Sequence, residues 1–125
     1  MIKLSPKEFD KAVRRAIDRI PAEIREQMEN IVISVRKRPT REMLDSVGLT
    51  PDDPPLGLYW GDSLLERSVF SPLRYPDTIF IFQEPLEEMC RDLKELEREI
   101  EITVVHEIAH FLGMDEEQLV ELGYE

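Results

Sequence analysis

The sequence predicts a small α+β protein, and three observations carry that expectation. Apolar residues recur at helical spacing near the start of the chain and again over its last third. Between them lie short runs rich in β-branched and aromatic residues, at 31–35, 56–60 and 78–83, each long enough for one strand. Hydrophobic residues make up 42% and charged residues 34%, the balance of a chain that folds around a core. At 125 residues the length fits one domain, 1–125, with a single modest core.

Ser5-Pro6-Lys7-Glu8 is a helix start: Ser5 caps, Pro6 takes the first helical position, and Glu8 closes a capping box. Phe9, Val13, Ala16, Ile17 and Ile20 then line one face. Pro21 opens a second helix over residues 22–29, with Ile24 and Met28 one turn apart and facing inward. Ile31-Val32-Ile33-Ser34-Val35 reads as a strand. Thr40 caps a short helix that ends near Gly48. Pro51-Asp52-Asp53-Pro54-Pro55 forms a rigid turn before the strand Leu56-Gly57-Leu58-Tyr59-Trp60. Residues 63–77, with Pro72 and Pro76, read as an ordered surface loop. Thr78-Ile79-Phe80-Ile81-Phe82-Gln83 carries the clearest strand pattern. After Pro85, Leu86, Met89, Cys90, Leu93, Leu96 and Ile100 resume helical spacing, which continues to Gly113 as one helix or as two broken near Arg91-Asp92. Met89 and Cys90 are expected in the core, because methionine and free cysteine behave as buried hydrophobes.

Composition narrows the function classes. A formal net charge of −11 disfavours nucleic acid and anionic membrane surfaces, both of which would be repelled. No run of about 18 apolar residues suggests a membrane span, and Met1-Ile2-Lys3-Leu4-Ser5 lacks the apolar stretch of a secretory signal. Cys90 is the only cysteine, which rules out an internal disulfide and suits a reducing, cytoplasmic setting.

The chemistry concentrates in five residues. The chain has two histidines, and both fall in His106-Glu107-Ile108-Ala109-His110. Four residues apart on a helix, the two imidazoles share a face and can reach one zinc ion, each with a nitrogen at about 2.0–2.1 Å. Glu107, beside the first histidine, is placed to take a proton from metal-bound water, whose pKa zinc lowers to about 7, and to pass it to a leaving amine. The pattern arises by accident in fewer than about one chain in a hundred of this length. A chance pair of partly buried histidines with carboxylate partners is the plainer reading. A catalytic zinc normally takes three protein ligands and a water, so a non-histidine must supply the third. Gly113 permits the left-handed turn that ends the helix and doubles the chain back. Met114-Asp115-Glu116-Glu117 follows, with Glu116 at the spacing of a third ligand in extended zinc motifs. Glu116 ranks first, Asp115 second, and Cys90 behind both. The same acidic run also suits a helix N-terminus.

His-Glu-Ile-Ala-His-Phe-Leu-Gly-Met-Asp-Glu-Glu resembles the small zincin-like metallopeptidases of bacteria. The likeness extends to Leu56-Gly57-Leu58-Tyr59-Trp60-Gly61, to Leu65-Glu66-Arg67-Ser68, to the run from Thr78 to Gln83, and to the early helices and first strand, nearly the whole chain. It implies a minimal zincin fold, a small mixed sheet packed against helices that include the active-site helix. It also implies His106 and His110 as zinc ligands, Glu107 as general base, and an acidic residue after Gly113 as third ligand. Glu116 stands where extended motifs place a histidine, and a carboxylate there lowers the net charge of the metal centre. In zincins an edge strand lies antiparallel to the bound peptide; Thr78-Ile79-Phe80-Ile81-Phe82 is the candidate for that strand, although an ordinary half-buried strand fits its composition equally. Tyr59, Tyr75, Tyr124, Arg67 and Arg74 have the chemistry of an oxyanion stabiliser.

The expected function is therefore zinc-dependent hydrolysis of peptides or flexible protein segments at a shallow, open site. The alternative is a metal-stabilised binding or regulatory module with little turnover, in which the metal holds the turn at Gly113. A weaker third reading is a regulator whose acidic surface docks a basic partner.

Overall fold

A computed structural model describes residues 1–61 and 77–124. The first helix, α1 (Pro6–Arg19), starts on the expected capping box: the Ser5 side chain accepts the Glu8 N–H, and the Glu8 carboxylate accepts the Ser5 N–H. Its Phe9, Ala12, Val13 and Ala16 are buried. Ile20 is extended ahead of Pro21, as a residue before proline tends to be. α2 (Ala22–Glu26) is shorter than the sequence suggests, yet Ile24 and Met28 are both buried. After β1 (Val32–Arg36), α3 (Arg41–Val47) is capped by Thr40, whose hydroxyl accepts the Met43 N–H at 3.1 Å. α3 ends at Gly48, as expected.

Among the described residues, β2 (Gly57–Trp60) and β3 (Thr78–Phe82) join β1 in a three-stranded sheet in the order β1-β3-β2. β3 runs parallel to β1, with Ile33 opposite Ile79, and antiparallel to β2, with Tyr59 opposite Ile79. This overturns the expectation that Thr78–Phe82 is an edge strand: both its edges are paired, so its backbone has no free ladder for a substrate. The expected loop at 63–77 lies outside the described residues, Asp77 excepted.

The chain passes from β3 directly into α4 (Gln83–Met89), with Pro85 in its first turn, where a missing N–H costs nothing. Cys90 is extended, and Asp92 then caps α5 (Leu93–Leu112), accepting the Glu95 N–H at 2.8 Å. There are thus two helices, not one. The break shifts the helical phase and corrects one expected core residue. Cys90 is fully buried, but Met89 is 48% exposed. α6 (Glu116–Glu121) closes the order of elements.

Strand alternation sorts the sheet's two faces. Ile79 and Ile81, with Ile33 and Val35, join the main core against α1 and α5. Phe82 and Leu58 face the other way and meet Met43 of α3, with Trp60 and Phe80 packed on them. α5 is the hub of the main core, burying Leu96, Ile100, Val104, Val105, Ile108, Ala109 and Phe111. Each large apolar side chain removed from water in this way contributes about 1.5–3 kcal/mol. A glycine sets how closely β2 approaches α5. A Cβ at Gly57 would lie 2.5 Å from Cγ2 of Thr103 and 2.9 Å from the Phe80 carbonyl.

Candidate active site

Residues 106–110 occupy the last two turns of α5. Glu107 projects toward β2, where its Oε1 accepts the Tyr59 backbone N–H at 2.7 Å. Only 13% of its side chain is exposed. Burial pushes the Glu107 carboxyl above the ordinary carboxylate range, and His110, the Tyr59 N–H and His106 oppose that rise. His110 lies one turn on, with Nδ1 3.6 Å from Glu107 Oε1 and 68% of its side chain exposed. His106 is half-buried, and its Nε2 lies 3.2 Å from the Tyr124 carbonyl oxygen.

Gly113 ends α5 in the left-handed region, at φ 71°. Its N–H meets the His110 carbonyl and the Met114 N–H meets that of Ala109, which completes the turn. The chain then reverses into α6. Asp115 caps this helix, its carboxylate accepting the Gln118 N–H at 2.9 Å while the Gln118 side chain accepts the Asp115 N–H. Glu116 and Glu117 are exposed in the first turn of α6, favourably placed for the helix dipole.

The candidate residues thus divide. His106, Glu107 and His110 are brought together on α5, whereas Glu116 is not gathered with them. Among the described residues, no group of three His, Cys, Asp or Glu side chains is arranged to hold a metal ion. Asp115 spends its carboxylate on the cap. Cys90 is unsuited to the role: it precedes α5, roughly 20 Å along the helix from His106 at 1.5 Å per residue. Burial above all, with help from Glu95, Glu99 and Asp92, pushes its thiol up to about 11. The donor set fits zinc as far as two imidazoles on one helix and a carboxylate base between them.

Of the five side chains considered for the oxyanion, Arg67, Arg74 and Tyr75 lie outside the described residues. The Tyr59 hydroxyl donates to Asp77 Oδ1 at 2.8 Å, and its ring lies 5.5 Å from that of Phe111. The Tyr124 hydroxyl donates to Glu101 Oε2 at 2.6 Å. Both phenols are therefore engaged in holding structure. Sequence reasoning missed two backbone groups at the site, the Tyr59 N–H on Glu107 and the Tyr124 carbonyl on His106. Gly57 was the one available signal for the first, since a glycine inside a strand marks close approach of another element.

The profile of the zincin-like metallopeptidase family matches residues 28–124 of this chain. The chain belongs to that family. The match begins at Met28, so α1 and α2 precede it, although the likeness read from the sequence took in the early helices. A search among curated proteins finds no match. Among the described residues, no helix is long and apolar enough to cross a membrane.

Proposed function

We propose that this chain is a zinc-dependent peptidase in which Glu107 is the general base and His106 and His110 hold the metal, with Glu116 as third ligand on the strength of its spacing after Gly113 alone, since the structure does not gather it with the histidines. The observation that carries this reading is the setting of Glu107. It is a nearly buried carboxylate between two histidines, held at one oxygen by the Tyr59 N–H and pushed toward a higher pKa. A base poised in this way carries a proton more readily than an ordinary surface carboxylate. Zinc, when bound, supplies Lewis acidity toward the scissile carbonyl and toward the attacking water. Glu107 receives the water's proton and delivers it to the departing amine. With Oε1 fixed by the strand, its second oxygen is the one suited to that transfer.

Membership of the family supports a peptidase in general. The substrate class follows from chemistry: an extended peptide or flexible protein segment. Among the described residues β2 is the sheet's antiparallel edge strand, and it borders Glu107. The net charge of −11 favours such substrates over nucleic acid or an anionic membrane. We take residues 1–125 to act as one domain, in a reducing compartment suited to the free Cys90 thiol.

The test is zinc per chain together with cleavage of a library of fluorogenic peptides. One zinc per chain is expected, with cleavage abolished by chelation and restored by zinc. Zinc bound without cleavage would instead favour the metal-stabilised binding module. Glu116→Gln is expected to weaken zinc affinity sharply and Asp115→Asn only slightly; the reverse ranking would exchange their roles.

A further inference from the structure

The strand that meets Glu107 forms one edge of the sheet, and β1, two strands over, forms the other. Among the described residues β1 pairs with β3 alone. The Val32 N–H meets the Asp77 carbonyl at 2.9 Å, so Val32, Ser34 and Arg36 turn their backbone groups toward β3. Ile33 and Val35 therefore turn their N–H and C=O groups to the opposite, open side. An extended chain can bond to such a row by adding as a further strand. A groove of about 440 Å³ lies between this edge and α1. Ile17, Ile33 and Val35 line it and are half-buried, which offers apolar contact to a side chain of the added strand.

Charge says what the groove accepts. Arg14 of α1 and Arg36 of β1 line it, and both are exposed. Elsewhere Arg15 and Arg19 hold Glu97, Arg38 holds Glu84 and Glu88, and Arg98 holds Glu101. Arg14 and Arg36 pair with no carboxylate among the described residues, in a chain with 27 acidic residues against 16 basic ones. The Arg36 guanidinium lies 5.4 Å over the Phe80 ring, and its Nη1 donates to the Val35 carbonyl at 3.3 Å. That bond is longer than the usual range of about 2.7–3.2 Å, so an arriving strand displaces it at little cost. We propose that the groove docks an extended acidic segment of another protein, added to β1 as an edge strand with its carboxylates on Arg14 and Arg36. Ile33 and Val35 supply the backbone bonds, and the guanidiniums select the sequence. Asp10, one turn before Arg14, also lines the groove and disfavours further acidic residues at its own end. The net charge of −11 opposes the approach at long range, but a Debye length of about 8 Å at physiological salt leaves the local guanidiniums to decide. A second copy of this chain is the competing occupant. Pairing β1 with itself would set two chains of −11 against each other and bring no acidic residue from the strand, so charge argues against it. Docking at β1 needs neither zinc nor turnover.

The experiment uses the full chain and a fluorescein-labelled peptide of alternating valine and glutamate, with circular dichroism as the folding control for each variant. Fluorescence anisotropy should show saturable binding, and amide hydrogen exchange should slow at Ile33 and Val35 when the peptide is bound. Arg14→Gln and Arg36→Gln should each weaken binding about 3–10-fold, the scale of one charge-assisted bond at a partly exposed site. Reversing both charges, Arg14→Glu with Arg36→Glu, should abolish it. N-methylation of alternate peptide residues removes donors without changing charge, and it should abolish binding in one of its two phases only. An analogue with lysine in place of glutamate should bind far more weakly, and equal or tighter binding would overturn the proposal. So would exchange protection confined to β2 or α5, or no binding at millimolar peptide. A wild-type dimer in analytical ultracentrifugation that protects Ile33 and Val35 without peptide would overturn it in favour of a second copy.

Discussion

Replacing Gly57 with alanine probes the joint between the sheet and the active-site helix. The new methyl would sit 2.5 Å from Thr103 Cγ2, 2.9 Å from the Phe80 carbonyl and 3.6 Å from Ile81 Cδ1. Comfortable carbon–carbon contact is about 3.5–4.0 Å, so roughly 1 Å of separation must be found. Thr103 is buried on α5, and the Phe80 carbonyl belongs to the central strand, so neither yields easily. Overpacking of this kind costs about 1–3 kcal/mol. The backbone contact argues for the upper half of that range, less up to about 1 kcal/mol for the stiffer unfolded chain. A net loss of about 1–3 kcal/mol lowers the Tm of a chain this size by roughly 3–15 °C. Thermal unfolding of the metal-free protein is the assay. Thr103→Ser removes the nearest blocking methyl, so the double variant should recover part of the loss but not the share due to Phe80. A Gly57→Ala protein melting within about 1 °C of wild type would refute the close-approach argument, since the expected shift is several-fold larger.

Further outcomes follow from the same contacts. Phe9→Ala should destabilise by about 3–5 kcal/mol in denaturant unfolding, because Phe9 is fully buried in the core shared by α1 and α5. A much smaller loss would mean that α1, which precedes the family match, is dispensable. Cys90 should resist thiol reagents at pH 8 in the native protein and react fully once unfolded, since its thiol is buried and held up to about 11. The folded-state pKa of Glu107 lies above its unfolded value, so its contribution to stability is present below the unfolded pKa and lost as pH rises through the folded one. Metal-free Glu107→Gln should therefore melt higher than wild type at pH 8, with the gap closing toward pH 4; a gap independent of pH would contradict the assignment.

Much of the fold was legible because its signals are local. Ser5 with Glu8, Thr40 with Gly48, and Gly113 mark helix ends through bonds that span only a few residues. The five residues 106–110 likewise declare a shared helical face without any tertiary information. Strand order was harder to read, yet β3 carried a clue. Its Ile79 and Ile81 face one core while Phe80 and Phe82 face the other, and apolar residues on both faces mark a central strand rather than an edge. Met89 misled because a helical pattern was extended across the break at Cys90 and Asp92, where the phase restarts. The contacts that tune the site were not legible at all. Tyr59 reaches Glu107 across 48 positions and Tyr124 reaches His106 across 18, each through a backbone group whose chemistry does not depend on the side chain it carries.

The central claim is that Glu107 moves the proton in a zinc-dependent cleavage. Its most direct test compares peptide cleavage by wild type and Glu107→Gln, both loaded to one zinc per chain. The account predicts equal zinc occupancy with a rate at least about 100-fold lower in the variant, the lower end of what a general base supplies. Equal rates at equal occupancy would contradict it.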